Sequence, residues 1–272
     1  MNKYLQLFRP EVLLMGVVFL IAAAFIAVGS ELAEYGYELL VAVPVVLAFI
    51  IGGNSINDYV DRDVDKFAHP ERPVPSGRVP AETALYIGGG ALGFAIILSF
   101  LLPNYTSTAI VIAACLFIVV YELLLKQRGF IGNITIGVLT GMVFLLGGAV
   151  VGNVECCYAI ASMIILISLG REIGLDIKDM DGDVGRTTLP MKIGKRNAAI
   201  LAALFFVAAV LASIYPILQG DVSYLYGIII IADLLIALTA YSVFKDLDRF
   251  QTLVIVSMFM SAIAFVFGAV SI

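Results

Sequence analysis

At 272 residues, with 61% hydrophobic and 14% charged residues, the chain is too apolar for an ordinary soluble domain, in which about a quarter of residues carry charge. Its net charge of −5 comes from clustered acids rather than from an acidic surface, and no nucleic-acid partner is expected. The three cysteines, Cys115, Cys156 and Cys157, fit no zinc or disulfide pattern, and the adjacent pair would bridge only under strain.

Nine apolar spans follow in chain order, at about residues 12–29, 39–56, 82–102, 107–125, 131–151, 157–175, 197–217, 223–243 and 251–271. Each is close to the roughly 20 residues that a membrane helix needs. No cleavable signal peptide is expected, because the first apolar run is too long and lacks a small-residue cleavage site. The third span opens on Pro80-Ala81-Glu82, with proline in the first turn and an acid at the positive end of the helix dipole. Gly88-Gly89-Gly90 and Gly147-Gly148 suit close helix packing in lipid. The expected fold class is all-α: a polytopic membrane protein, nine transmembrane helices in a bundle around a central cavity. Residues 1–272 then form one domain. Spans two and six each end in an acidic cluster and lie four spans apart. This hints at duplicated four-helix units, roughly 1–125 and 126–243, with a ninth helix added.

With these spans, all sixteen Lys and Arg fall on one side. They occur at Lys3 and Arg9, then within 57–80, 126–130, 171–196 and 245–249. The other side holds Glu31, Glu34, Glu38, Glu155 and Asp221. The positive-inside rule then makes the N-terminus cytoplasmic and the C-terminus external. It also puts both acidic clusters on the cytoplasmic face of a multi-pass protein of the cell membrane.

The first cluster leaves span two. Read as a continuing helix, it puts Asn57, Asp61 and Asp65 at i, i+4 and i+8 on one stripe, with Asn54 and Asp58 beside it. The second puts Glu172, Asp176, Asp179 and Asp183 at i, i+4, i+7 and i+11, with Asp181 off the stripe. Carboxylates this close repel unless a cation sits among them. Oxygen donors alone favour a hard ion, Mg²⁺ before Zn²⁺, and Mg²⁺ commonly bridges carboxylates to a substrate phosphate. Two such walls suggest a bound diphosphate–Mg²⁺ group. Asn57, Asp61, Asp65, Asp176, Asp179 and Asp183 are the expected metal ligands. Asp63 and Asp181 are expected to face solvent. Asp58 is open between ligating, orienting a neighbour and touching an acceptor.

Asn57-Asp58-x-x-Asp61-x-x-x-Asp65 and Asp176-Ile177-Lys178-Asp179-Met180-Asp181-Gly182-Asp183 resemble the two aspartate-rich motifs of the UbiA superfamily of membrane prenyltransferases. Arg72-Pro73-Val74-Pro75-Ser76-Gly77, Arg171-Glu172-Ile173 and Gly185-Arg186-Thr187-Thr188-Leu189-Pro190 look most like its archaeal lipid branch. The resemblance implies an isoprenyl diphosphate donor and Mg²⁺ as cofactor. It further implies transfer of a geranylgeranyl group to the hydroxyl of geranylgeranylglyceryl phosphate, a membrane-lipid acceptor. Aromatic acceptors such as 4-hydroxybenzoate use the same metal machinery and stay open. In the family a lysine after a tyrosine in the fourth-helix segment contacts diphosphate; here Tyr121 and Lys126 fill that region, with Arg128 just beyond.

A diphosphate also needs cationic partners. Arg72 and Lys126 lead the candidates, with Arg128, Arg171, Arg78 and Arg186 in the same cytoplasmic segments. Asp58, Asp61 and Asp176 are the expected catalytic acids, Asp58 as base toward an acceptor hydroxyl. Tyr59 and Tyr121 are placed to stabilise cationic charge. His69 is expected in solvent, and Lys245, Asp246, Asp248 and Arg249 in a solvated loop. Asp233, inside the eighth span, should face the bundle and hydrogen-bond another helix. A cation transporter is the alternative of another class, but its carboxylates belong near the midplane. An alcohol phosphatidyltransferase would show one contiguous acidic signature instead of two.

Overall fold

In lipid every backbone polar group must be satisfied internally, and a helix does this within one segment. The computed structural model describes residues 2–180, 187–220 and 222–270, and among these there is helix and turn but no strand. In chain order the helices are α1 (Lys3–Phe8), α2 (Pro10–Val28), α3 (Gly36–Val60), α4 (Asp65–Ala68), α5 (Ala81–Ser99), α6 (Tyr105–Val120) and α7 (Phe130–Val150). They continue with α8 (Tyr158–Asp179), α9 (Leu189–Ile193), α10 (Lys195–Ser213), α11 (Tyr215–Gln219), α12 (Ile229–Ser242) and α13 (Leu247–Gly268).

Eight stretches of the described chain are long and apolar enough to cross a membrane, and the first, Pro10–Val60, runs to 51 residues. That is far more than one crossing needs. It consists of α2 and α3 joined by a 3₁₀ segment at Gly29–Tyr35. Gly29, at φ 57°, ends α2 in a conformation that glycine adopts without Cβ strain. The two helices then fold back on each other: a Cβ added at Gly16 would collide with the Ile50 side chain and stand 3.2 Å from Val46.

The strongest packing partners are α3 with α5, α8 with α10, α7 with α8, α12 with α13 and α2 with α7. Helices α3 and α5 meet through glycines, with Gly52 against Leu92 and Gly88 against Ile56. Lipid tails give apolar side chains no reason to leave them, so backbone approach at small residues supplies the attraction. Gly89 and Gly90 face open space, whereas Gly147 packs on Leu20 and Ala23, and Gly148 on Cys157.

Two apolar cores result. One gathers Val45, Val46, Leu92, Val111, Leu139 and Leu146 from α3, α5, α6 and α7. The other gathers Phe144, Ile164, Phe206, Ile236, Phe250 and Phe265 from α7, α8, α10, α12 and α13. Helices α2 and α7 contribute to both. A third cluster joins Leu7 of α1 to Val74, Val79 and Ala84, so the short N-terminal helix, which the apolar pattern did not announce, docks on the chain that follows the first acidic motif.

Asparagines knit the far end: Asn104 Nδ2 donates to the Ala149 carbonyl at 2.6 Å and Asn153 Nδ2 to that of Ala27 at 2.9 Å. A hollow of about 800 Å³ opens there, with Glu31, Tyr35, Asn153 and Ser223 in its lining. The acidic motifs lie at the other end, away from this hollow.

Candidate active site

Helix α3 ends at Val60, and the acids beyond it do not continue a single stripe as expected. Asp61 caps the helix, its N–H bonded to the Asn57 carbonyl at 2.9 Å, and the Asp65 N–H reaches the Asp61 carbonyl at 2.8 Å. Helical bonding persists, but α4 starts afresh at Asp65. Each acid then meets a cation of its own. Asp58 pairs with Arg9 at 2.7 Å, Asp61 with Lys126 at 2.6 Å and Asp65 with Arg72 at 2.5 Å. Asp58 and Asp65 are almost wholly buried, at 1% and 4% exposure, and a buried charge persists only when paired.

Arg9 was not among the residues picked out from the sequence. Besides Asp58 it donates to Asn57 Oδ1 at 3.1 Å and to Asn54 Oδ1 at 3.5 Å. Asn54 returns a bond to the Phe8 carbonyl at 3.1 Å. Arg9 is the one described non-glycine residue at positive φ, 55°, set between α1 and the Pro10 that opens α2. Such backbone costs about 1–3 kcal/mol and survives where its surroundings over-determine it. Here a three-acceptor grip on α3 does so.

Helix α6 reaches the same place by another irregularity. It ends in a turn of π-helix, Tyr121–Leu125, where the Lys126 N–H bonds the Tyr121 carbonyl, followed by a 3₁₀ turn, Lys126–Arg128. Glu122, buried at 5% exposure, accepts from Asn57 Nδ2 at 3.0 Å and from Lys126 Nζ at 2.9 Å. Glu122 was also missed from sequence; its only signal there was a carboxylate four residues before Lys126 at the end of an apolar run.

The second motif stays helical through Asp179. Asp176 accepts from Asn133 Nδ2 at 2.9 Å, and Asn133 lies buried in the first turns of α7. Glu172 pairs with its neighbour Arg171, and Asp179 is exposed. Asp181, Asp183 and Arg186 lie outside the described residues, as does Asp221. Lys178 reaches Asp248 at 2.7 Å and Gln251 at 2.8 Å, while Asp246 caps α13 by accepting from the Asp248 and Arg249 N–H groups. Lys245, Asp246, Asp248 and Arg249 are all exposed, as expected of a solvated loop, and the Lys178 contacts tie the start of α13 to α8.

The α6–α7 hairpin joins the motifs. Its Glu122 and Lys126 hold the first, its Asn133 holds the second, and Gly129, at φ 62°, sits so close to Thr187 that a Cβ would stand 3.0 Å from that carbonyl. Both motifs thus lie at one end of the bundle. The other candidates are spread around it. The Tyr59 ring lies under the Arg62 guanidinium at 4.5 Å, Tyr121 is 6.0 Å from Lys126 Nζ, and Arg128 is exposed. Arg78 donates to the Glu71 carbonyl and to Ser76. His69 sits half-exposed, 3.7 Å from Glu71. Asp63 is exposed, and the Lys66 ammonium beside it holds its carboxyl below the ordinary range. Asp233 accepts from Ser213 of α10 at 2.9 Å.

The available donors are oxygens. Among the described residues no three carboxylates, imidazoles or thiols converge closely enough to hold a metal unaided. Oxygen donors suit a hard cation such as Mg²⁺, which keeps several waters and takes one or two carboxylates plus substrate phosphate. Acids at helix ends beside arginine and lysine do not suit a midplane transport site.

The UbiA prenyltransferase family model matches residues 16–270. The digeranylgeranylglyceryl phosphate synthase of Methanothermobacter thermautotrophicus is 33% identical, over 99% of this chain and 96% of that one. The synthase of Thermococcus kodakarensis is 32% identical over 98% of each. A solved structure concerned with digeranylgeranylglyceryl phosphate synthase in membranes superposes with a TM-score of 0.83 at 29% identity, over 100% of this chain and 99% of that one. A UbiA homologue from Archaeoglobus fulgidus bound to GPP and Mg²⁺ shares the fold, with a TM-score of 0.67 at 16% identity over 98% of each chain. With nearly its whole length matched, this multi-pass membrane chain belongs to the UbiA prenyltransferase family and is an enzyme that transfers prenyl groups.

Proposed function

We propose that the chain transfers a geranylgeranyl group from geranylgeranyl diphosphate to the hydroxyl of geranylgeranylglyceryl phosphate, forming an ether and releasing diphosphate. The observation that carries this reading is the α6–α7 hairpin, which ties both acidic motifs to one end of the bundle. The full-length similarity to digeranylgeranylglyceryl phosphate synthases supports the choice of acceptor. Asn57, Asp61, Asp65, Asp176 and Asp179, with Asp183, would hold Mg²⁺, which when bound neutralises charge on the diphosphate leaving group. Lys126 and Arg72 share that load, with Arg128 at the rim. The donor's C1–O bond breaks with its electron pair going to diphosphate, and the acceptor oxygen bonds C1. The hydroxyl proton passes to a carboxylate of the first motif, for which Asp58 is the candidate. Tyr59 and Tyr121 offer ring faces to the allylic cation, and the surrounding helices keep water from it. We place this site on the cytoplasmic side of nine crossings, with α2 and α3 as two of them.

The test is transfer from labelled geranylgeranyl diphosphate by the purified protein in lipid nanodiscs, against a panel of acceptors. The lipid phosphate acceptor should give product that requires Mg²⁺. Asp61→Ala and Asp176→Ala should each lower turnover at least 100-fold, roughly the loss of one strong electrostatic contact in a transition state, with unchanged elution and thermal unfolding. Transfer to 4-hydroxybenzoate alone would refute the lipid acceptor. Near-parental turnover in either variant would refute the site.

A further inference from the structure

We infer that Glu122 is a positioning residue for the diphosphate end of the donor, setting the amide of Asn57 and the ammonium of Lys126 together. The inference rests on the reading above that Asn57 and Lys126 serve that end. An asparagine can present either its oxygen or its NH₂ to a given side, and only the oxygen can face a cation. Glu122 accepts from Asn57 Nδ2 at 3.0 Å, which turns Oδ1 the other way, where Arg9 donates to it at 3.1 Å. A flipped amide would set its oxygen against the carboxylate and its NH₂ against the guanidinium, so both neighbours enforce one orientation. The other Glu122 oxygen accepts from Lys126 Nζ at 2.9 Å. With Asp61 at 2.6 Å, two of the three ammonium protons are then engaged, and the third can serve an anion.

Burial sharpens the case. A carboxylate exposed to only 5% is costly to keep charged, and its two donors are what offset that cost. Packing alone would be served by an apolar side chain here. The π turn is part of the device, because it widens the end of α6 where Glu122 and Lys126 face α3.

The experiment measures KM for geranylgeranyl diphosphate, KM for the acceptor and half-saturating Mg²⁺ in nanodiscs. Glu122→Gln keeps shape but cannot serve two donors as a carboxylate does. Its donor KM and Mg²⁺ requirement should rise roughly 10–100-fold, the usual loss when an outer-shell partner of a metal ligand is changed, while acceptor KM stays within twofold. Glu122→Asp should fall between the two. In an Asn57→Ala/Lys126→Met background, Glu122→Gln should add less than twofold, since the groups it acts through are gone. Parental donor KM and Mg²⁺ dependence in Glu122→Gln would overturn the inference. So would penalties that multiply in full in the combined variant, the mark of a purely structural role. If Glu122→Gln does not fold, parental constants in Glu122→Asp overturn it equally. Unmoved donor KM in Asn57→Ala and Lys126→Met would instead remove the site reading on which it rests.

Discussion

Arg9 illustrates what a single residue can hide. In the sequence it is one more positive charge before an apolar run. In the fold it pairs directly with the buried carboxylate of Asp58, and it holds a left-handed backbone to stay there. Losing one partner of a buried pair strands the other charge, whereas losing both often costs little. Arg9→Ala should therefore destabilise the protein by on the order of 3 kcal/mol, and Arg9→Ala/Asp58→Ala should recover most of that loss in denaturant or thermal unfolding. Equal stability of the single and double variants would show that the pair does not hold α1 and α2 to α3. The same reasoning explains what was legible at this scale. Spacing exposed Asn57, Asp61, Asp65 and Asp176 because helical periodicity is local. Their partners Arg9, Glu122 and Asn133 come from 43 to 65 residues away, and no local pattern announces a contact of that range.

Elements were legible where apolar length decides them. The spans expected at 82–102, 131–151 and 157–175 correspond to α5, α7 and α8 within a few residues. Irregularities were not legible, because long-range contacts sustain them. Asp61–Val64 forms turns between α3 and α4, where Asp61 meets Lys126 and Asp65 meets Arg72, and α6 ends in a π turn rather than running on as α-helix. π turns concentrate at functional sites, and this one sets the angular position of Lys126 relative to Asp61. Deleting Leu123, which is 63% exposed, should restore i→i+4 bonding and leave Lys126 three residues after Glu122 instead of four, so that its ammonium no longer sits between Glu122 and Asp61. Thermal stability should hold or rise, and donor KM should increase well beyond tenfold. A deletion variant with parental donor KM would show that the π turn is incidental to Lys126. Repeated pairing suggests a larger unit: α3 packs on α5 as α8 packs on α10, each pair separated by an acidic motif. This supports the proposed duplication, with α13 as the addition.

Across the whole molecule, charge and lipid fix one end as different from the other. Lys3 reaches Arg78, Arg9 reaches Asp58, Lys126 reaches Asp61 and Lys178 reaches Asp248. These contacts gather the basic segments at the motif end, and by the positive-inside rule we propose that this end is cytoplasmic. The chain carries its own reporter of this orientation. Cys156 is exposed while Cys115 and Cys157 are buried, and it lies in the 3₁₀ turn that precedes α8, at the opposite end of that helix from Asp176 and Asp179. A charged maleimide that cannot cross lipid should label Cys156 in right-side-out vesicles, and in inside-out vesicles only after detergent. Cys156→Ser should abolish the signal. Adding Lys66→Cys to that variant should reverse the sidedness, because Lys66 is 58% exposed in the turn after the first motif. Labelling of both positions from one face would mean that the helices between them do not cross the bilayer an odd number of times. Inverted labelling of both would keep the bundle but place its acidic end outside, and would overturn the proposed orientation.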